Sequence, residues 1–88
     1  MRHTPDLPWN DPRRRIARAL SKAVARNMGR QTDMYTDEIA SMARLRPGVC
    51  VGFYEPKPLA EIQNLTAIYA GYRIRVHRID GGVSVRGI

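Results

Sequence analysis

Apolar and basic residues alternate strictly near the C-terminus. Over 72–77 the even positions are apolar and the odd positions are basic, in the order Tyr72, Arg73, Ile74, Arg75, Val76 and His77. Side chains of a β-strand point alternately to its two faces, so the pattern predicts a strand with one buried and one exposed face. Residues 80–82 then supply turn chemistry, and Val83 and Val85 resume the alternation. The segment is therefore predicted to form a β-hairpin.

The position of the loop sets the register of this hairpin. A two-residue loop at Asp80 and Gly81, the preferred pair for a type I′ turn, separates apolar from basic side chains. The residues that then face each other across the strands are Val76 and Val85, His77 and Ser84, and Arg75 and Arg86. Two arginines directly opposite each other repel unless an anion or a carboxylate lies beside them. This conflict is the main functional indication in the sequence.

A first helix is predicted to begin at Asp11 and Pro12, an N-cap carboxylate followed by proline at the first helical position. It should run to about Met28 and end at Gly29. One arc of this helix is apolar and consists of Ile16, Leu20, Ala23, Val24, Asn27 and Met28. The opposite side carries a basic stripe of Arg15, Arg18, Lys22 and Arg26. Such a stripe is either a solvated face or a line of contacts to phosphates or to an acidic protein.

The middle of the chain is predicted to contain a short helix and a strand. Residues 30–35 are expected to form a loop, and Thr36 to cap a helix of about 37–45. Residues 49–54 alternate between two sets of mainly apolar side chains, which predicts an interior strand. A strand here argues against a helix-turn-helix, whose second helix must begin within a few residues of the first.

A further helix is predicted over 58–70, with Glu61 as its only internal charge. A helix with so few charges is expected to be covered, either by the N-terminal helices or by a second copy of the chain in a homodimer. The strands before and after it would form a right-handed crossover if they were parallel in one sheet.

These elements together predict an α+β protein with an extended arm over 1–10 and a single domain over 11–88. The predicted order is α-α-β-α-β-β, with a three-stranded sheet that includes the C-terminal hairpin and is covered by helices. Trp9 in the arm is expected to pack on the first helix. The predicted core consists of Leu20, Ile39, Val51, Phe53, Ile62, Leu65, Tyr69, Ile74, Val76 and Val85.

Composition points to a binding protein with an anionic partner. The 88 residues carry 15 basic and 8 acidic side chains, a net charge of +7, and every basic residue except Lys22 and Lys57 is arginine. A balance this basic is typical of proteins that bind nucleic acid or acidic proteins. Cys50, the one cysteine, is expected to be a small buried apolar residue. With no apolar run long enough to span a membrane and no secretory signal core, a cytoplasmic location is expected.

Candidate chemistry is confined to binding surfaces. The cysteine and two histidines do not make a zinc site, and no cofactor is expected. His77 opposite Ser84 resembles a base beside a hydroxyl, but nothing else is arranged for catalysis, so an enzyme is not expected. The candidate binding residues are Arg15, Arg18, Lys22, Arg26, Arg73, Arg75, His77 and Arg86.

Two functions remain open. The first is a small nucleic-acid-binding protein with weak sequence specificity. Duplex is favoured over single strand because the basic sheet face is poor in aromatic residues, with Tyr54 the one aromatic able to join it. The second is an inhibitor or adaptor, of a kind that phages and mobile elements encode, that docks on a host enzyme or nucleoprotein complex.

Overall fold

The structure, a computed structural model, describes residues 7–71 and 73–88. In this part of the chain the elements are α1 (Pro12–Arg26), β1 (Thr32–Tyr35), α2 (Thr36–Ala43), α3 (Pro47–Val51), α4 (Pro56–Tyr69), β2 (Ile74–Ile79) and β3 (Gly82–Gly87). The α+β class, the three-stranded sheet and the C-terminal hairpin are confirmed. Residues 1–6 of the predicted arm and the strand position predicted for Tyr72 lie outside the described residues.

The sheet has the order β1-β3-β2, and both neighbouring pairs are antiparallel. Its third strand is β1, in the segment predicted to be a loop, so it precedes α2 rather than following it. Since no two neighbouring strands are parallel, the predicted right-handed crossover does not apply to this sheet. The outer edge of β2 is covered locally, because the backbone N–H of Val76 donates to Oε1 of Gln63 at 3.1 Å.

The strand predicted over 49–54 is wrong, because the chain is helical from Pro47 to Val51. Cys50 and Tyr54 are buried and Phe53 is partly buried, a spacing of three and four residues that fits a helical turn and not a strand. Val51, predicted to lie in the core, is 42% exposed. The β-propensity of these residues favours a strand, but the packing of side chains three and four residues apart stabilises helical turns instead.

Helix α1 begins as predicted and ends earlier. The carboxylate of Asp11 accepts a hydrogen bond from the backbone N–H of Arg13 at 2.9 Å, which confirms it as the N-cap. The helix ends at Arg26, and Met28 adopts a left-handed φ of 57° with its side chain 83% exposed, so it does not belong to the apolar arc. Trp9, expected to pack on α1, is 72% exposed.

Two other helix boundaries differ from the prediction. Helix α2 is preceded by Tyr35 as its N-cap, and Thr36, predicted to be that cap, is its first residue. Helix α4 begins at Pro56 and ends at Tyr69, with Gly71 at a φ of 68° just beyond it, as expected for a residue that closes a helix.

The core lies between the inner face of the sheet and helices α1 and α4, which also pack against each other. Predicted core residues that are buried are Leu20, Ile39, Ile62, Leu65, Ile74, Val76 and Val85, and Tyr69 is partly buried. Helix α4 buries Leu59, Ile62, Leu65 and Thr66, and it packs mainly against α1 and β2. Other elements of the same chain therefore cover one side of α4, as the first of the two alternatives predicted.

Candidate nucleic-acid interface

The hairpin register is confirmed at every predicted pair. Val76 lies opposite Val85, His77 opposite Ser84, and Arg75 opposite Arg86. The valines are buried on the inner face, and the arginines are exposed on the outer one. Neither Arg75 nor Arg86 is within 4.0 Å of a carboxylate in the described part of the chain. The two guanidinium groups are therefore held near each other with no built-in counter-charge.

The loop of the hairpin lies at Asp80 and Gly81 as predicted, but its turn type differs. Gly81 has a φ of 81°, whereas Asp80 does not adopt a positive φ. A type I′ turn needs positive φ at both central residues, and a positive φ at the second alone is the pattern of a type II turn. The prediction of a type I′ turn is therefore wrong, although the loop length and the register are unaffected.

The outer face of the sheet combines basic, polar and aromatic side chains. Ser84 lies at its centre, 1% exposed, and its hydroxyl accepts a hydrogen bond from Nε2 of Gln31 at 3.0 Å. Tyr35 lies on the same face, 56% exposed and paired with Gly82, which has no side chain. Tyr54, which the sequence analysis named as the one aromatic able to join this face, is 3% exposed. The sequence prediction missed Tyr35 because its segment was not predicted to be a strand.

The four side chains of the basic stripe on α1 lie in different surroundings. The Arg15 guanidinium donates from Nε to the carbonyl oxygen of Ala43 at 2.8 Å and from Nη2 to that of Arg44 at 2.6 Å. It therefore stabilises the C-terminus of α2, where cations are favoured. Arg26 extends toward Met42, with Nη2 at 3.4 Å from the sulfur. Arg18 and Lys22 are exposed along a cleft beside α4.

The remaining predicted residues belong to the hairpin. Arg73 and His77 are both exposed, and the backbone carbonyl of Arg73 accepts a hydrogen bond from the N–H of Ile88 at 3.0 Å. The inner sides of the sheet and of α1 pack against each other, so their basic sides face away from one another. The stripe and the hairpin face are therefore separate surfaces.

Helices α2 and α3 have the connectivity of a helix-turn-helix, the motif that the sequence argued against. Helices α2 and α3 pack against each other and are joined by Arg44, Leu45 and Arg46 alone, a connection of the length that joins the helices of this motif. Arg44 has φ 56° and ψ 50°, the left-handed conformation that reverses the chain after α2. Leu45 packs against the core, whereas Arg44 and Arg46 are exposed. The sequence signal that could have indicated α3 is Pro47, since proline is favoured in the first turn of a helix.

Hydrogen bonds join the hairpin loop to the helix-turn-helix. The backbone N–H and the hydroxyl of Thr36, at the start of α2, both donate to the carbonyl oxygen of Gly81, at 3.0 and 2.9 Å. The buried phenol of Tyr54 donates to the same threonine hydroxyl at 3.1 Å. Arg78 of β2 also forms an ion pair with Glu55, just after α3, at 3.1 Å. The hairpin and the α2–α3 unit are thus one connected structure.

Several described side chains have a pKa that is shifted by burial or by a hydrogen bond. Burial raises the pKa of the Cys50 thiol and of the Tyr54 phenol. The side-chain hydrogen bond from Arg13 lowers the pKa of Asp11. A raised thiol pKa keeps Cys50 protonated, so it is not an activated nucleophile.

Two other kinds of site are not found among the described residues. No group of three or more His, Cys, Asp or Glu side chains is arranged to hold a metal ion within residues 7–71 and 73–88. Within the same residues, none of the helices combines the length and the apolar character needed to cross a membrane.

Comparison with known proteins places the chain in no group. No family model matches it, and neither the curated proteins nor the solved structures include a significant match.

Proposed function

We propose that this protein binds duplex nucleic acid without catalysing a reaction, mainly through arginine contacts to phosphates and with weak sequence specificity. The observation that carries this proposal is the α2–α3 helix-turn-helix with exposed Arg44 and Arg46 in its turn. In DNA-binding proteins this motif places its second helix in the major groove while flanking side chains hold the backbone. Arginine suits the backbone contact because its planar fork matches phosphate geometry.

The conformation of Arg44 supports a functional role for its side chain. A left-handed conformation costs a residue other than glycine roughly 1–2 kcal/mol, and glycine is the usual occupant of this position after a helix. Arg44 occupies it with an exposed guanidinium that has no carboxylate within 4.0 Å in the described chain. A strained residue at an exposed turn is a reason to infer a functional role for its side chain.

Weak sequence specificity follows from the surface of α3. Its exposed residues include Pro47, Gly48, Val49 and Val51, whereas Cys50 anchors the helix in the core. None of these exposed side chains can donate or accept a hydrogen bond at a base edge, which is how sequence is read in the major groove. We therefore expect α3 to supply shape and apolar contact, and the arginines to supply affinity.

The outer face of the hairpin adds a second set of phosphate contacts. Arg75 and Arg86 lie opposite each other, and a bound phosphate would remove their mutual repulsion. Through Gly81 the hairpin is bonded to the start of α2. In this proposal one duplex contacts both the turn arginines and the hairpin.

The test exploits the strain at Arg44. In Arg44→Gly the left-handed strain is relieved, so the free energy of unfolding should rise by roughly 0.5–1 kcal/mol, the strain minus the entropic cost of glycine. The same change removes one phosphate contact, so the affinity for mixed-sequence duplex should fall. The slope of log affinity against log salt should become shallower by about one. Stability is measured by urea unfolding and affinity by titration at several salt concentrations.

Met28→Gly is the matched control. Met28 has a φ of 57° and is 83% exposed, so glycine relieves the same strain without removing a charge. It should stabilise the protein and leave affinity and salt slope unchanged. If Arg44→Gly behaves like Met28→Gly in the binding assay, the turn arginine does not contact the duplex.

Failure of the wild type to bind duplex more tightly than about 10⁻⁴ M, the weak end of non-specific affinity, would overturn the proposed function. The inhibitor or adaptor hypothesis would then take its place. A stronger affinity for a single strand of equal length would instead direct attention to Tyr35, since exposed aromatic rings on a sheet stack with unpaired bases.

A further inference from the structure

A cleft of about 300 Å³ lies between α1 and the C-terminal end of α4. The side chains that carry its chemistry are Arg14, Arg18, Ser21 and Lys22 of α1 and Tyr69 of α4. The cleft is separate from the helix-turn-helix arginines and from the hairpin face. No carboxylate is among the residues that line it.

The cations of the cleft form a ridge on one side of α1. Arg14, Arg18 and Lys22 recur every four residues, so they lie above one another on the helix surface. Arg14 is held in place, because its Nη1 donates to the carbonyl oxygen of Leu7 at 2.8 Å and its guanidinium carbon lies 4.2 Å from the centre of the Tyr69 ring. Arg18 and Lys22 are exposed and have no carboxylate within 4.0 Å in the described chain.

Two buried polar atoms in this cleft lack hydrogen-bond partners. Ser21 is 5% exposed, and its Oγ has no partner in the described chain. The Nε of Arg14 is also buried without an acceptor. Buried polar groups are nearly always hydrogen-bonded in folded proteins, because each unpaired group loses the free energy of its bonds to water. Both Ser21 Oγ and Arg14 Nε are donors, and because neither atom is accessible to solvent, each reaches an acceptor in the cleft after a rotation of its side chain.

We propose that this cleft binds a phosphate group. Three cations provide the charge, and the unpaired Ser21 hydroxyl and Arg14 Nε provide donors for its oxygens. The phosphate comes either from a nucleic-acid backbone or from a free phosphate ion or monoester. Because the site is built from different residues, it does not depend on duplex binding by the helix-turn-helix.

The first experiment measures thermal unfolding in sodium phosphate and in sodium chloride of equal ionic strength. A specific site raises the Tm of the wild type steeply at low phosphate and then with the logarithm of concentration, whereas the general stabilising effect of phosphate grows in proportion to concentration. Arg18→Ala/Lys22→Ala should lose the logarithmic part. Ser21→Ala should reduce it, while leaving the Tm in chloride unchanged or higher, since an unpaired buried hydroxyl is removed. Arg30→Ala, which removes an exposed charge outside the cleft, should respond like the wild type.

The two sources of phosphate are separated by duplex titration of Arg18→Ala/Lys22→Ala. A salt slope shallower by about one shows that a backbone phosphate occupies the cleft. An unchanged slope, with the phosphate response lost, shows a site for a free ion or monoester. Equal phosphate responses in wild type and Arg18→Ala/Lys22→Ala would overturn the site, and the cations would then serve only the C-terminal carbonyls of α4. A wild type that responds to phosphate without binding duplex would refute the proposed function and leave this site standing.

Discussion

At the scale of single residues, two adjacent glycines of the hairpin are required for different reasons. Gly81 has a φ of 81°, which other residues adopt only with strain. Gly82 has no such conformation, but a side chain there has no space. A Cβ on Gly82 would overlap the carbonyl oxygen of Met34 and lie 2.8 Å from the Cα of Tyr35. The absent side chain is what lets β1 pair with β3.

Alanine substitution should separate these two roles. Gly81→Ala is expected to lower the free energy of unfolding by roughly 1–2 kcal/mol through backbone strain alone. Gly82→Ala introduces the same methyl group into occupied space, so it should lower stability by about 3 kcal/mol or more. Urea unfolding gives both values, and hydrogen exchange at Met34 shows whether β1 has detached. Equal losses for the two variants would contradict the close approach of β1 to Gly82.

At the scale of elements, the hairpin combines a stable inner face with a strained outer one. The valines at positions 76, 83 and 85 are buried, while Arg75 and Arg86 face each other across the strands in water. Like charges in directly opposed positions destabilise a sheet by a fraction of a kcal/mol up to about 1 kcal/mol. The hairpin retains this repulsion although one carboxylate would relieve it.

Arg75→Glu should relieve that repulsion and expose its function. A glutamate opposite Arg86 is expected to raise the free energy of unfolding by roughly 0.2–1 kcal/mol, while duplex affinity falls because a phosphate contact becomes a repulsion. Arg73→Glu is the control. It makes the same change in net charge, but Arg73 does not lie directly opposite an arginine. Urea unfolding and duplex titration of both variants provide the measurements. A destabilised Arg75→Glu would show that the arginine pair is not under strain.

The elements differ in how far the sequence predicts them, and the difference is one of locality. The hairpin register and the start of α1 depend on neighbouring residues: the alternation over 72–77 in one case, and the Asp11 cap in the other. Strand β1 has only four residues, and it is a strand because β3 lies beside it and Gly82 makes room. The sequence of residues 32–35 alone therefore does not predict a strand.

Contacts between residues distant in sequence also explain why α3 was not predicted. Residues 49–54 are rich in β-branched and aromatic side chains, which favour a strand. The burial of Cys50 and Tyr54 against the other helices stabilises helical turns here instead. Among the predicted binding residues, Arg15 proved to be engaged with α2 because the packing of α1 on α2 brought the two together. Arg44 and Arg46 were not predicted as binding residues, because α3, which places them in a turn between helices, was itself not predicted.

At the scale of the whole molecule, excess positive charge dominates the electrostatics. The net charge is +7, and ion pairs in the described part of the chain involve only Arg13 and Arg78 among the basic residues. A compact state with such an imbalance is destabilised by self-repulsion, which dissolved salt screens.

Stability and binding should therefore respond to salt in opposite directions. Raising sodium chloride is expected to increase the free energy of unfolding, because repulsion among the cations weakens. The same change should weaken duplex binding, because the counterions that binding releases gain less entropy in a more concentrated salt solution. Urea unfolding and duplex titration at matched chloride concentrations test both halves. A protein that becomes less stable as salt rises would show that its few ion pairs outweigh the repulsion.

The bonds from Thr36 to the carbonyl of Gly81 have a consequence for the strength of an assembled complex. They hold the loop of the hairpin against the start of α2, so the hairpin and the α2–α3 pair are connected by hydrogen bonds as well as by the chain. When two binding groups are rigidly connected, capture of a ligand by one presents it to the other at an effective concentration of about millimolar or more. Two contacts that are each too weak to persist can then retain a long polyanion together. A short oligonucleotide that reaches only one of them would escape between encounters, so retention is expected to depend on ligand length as well as on charge.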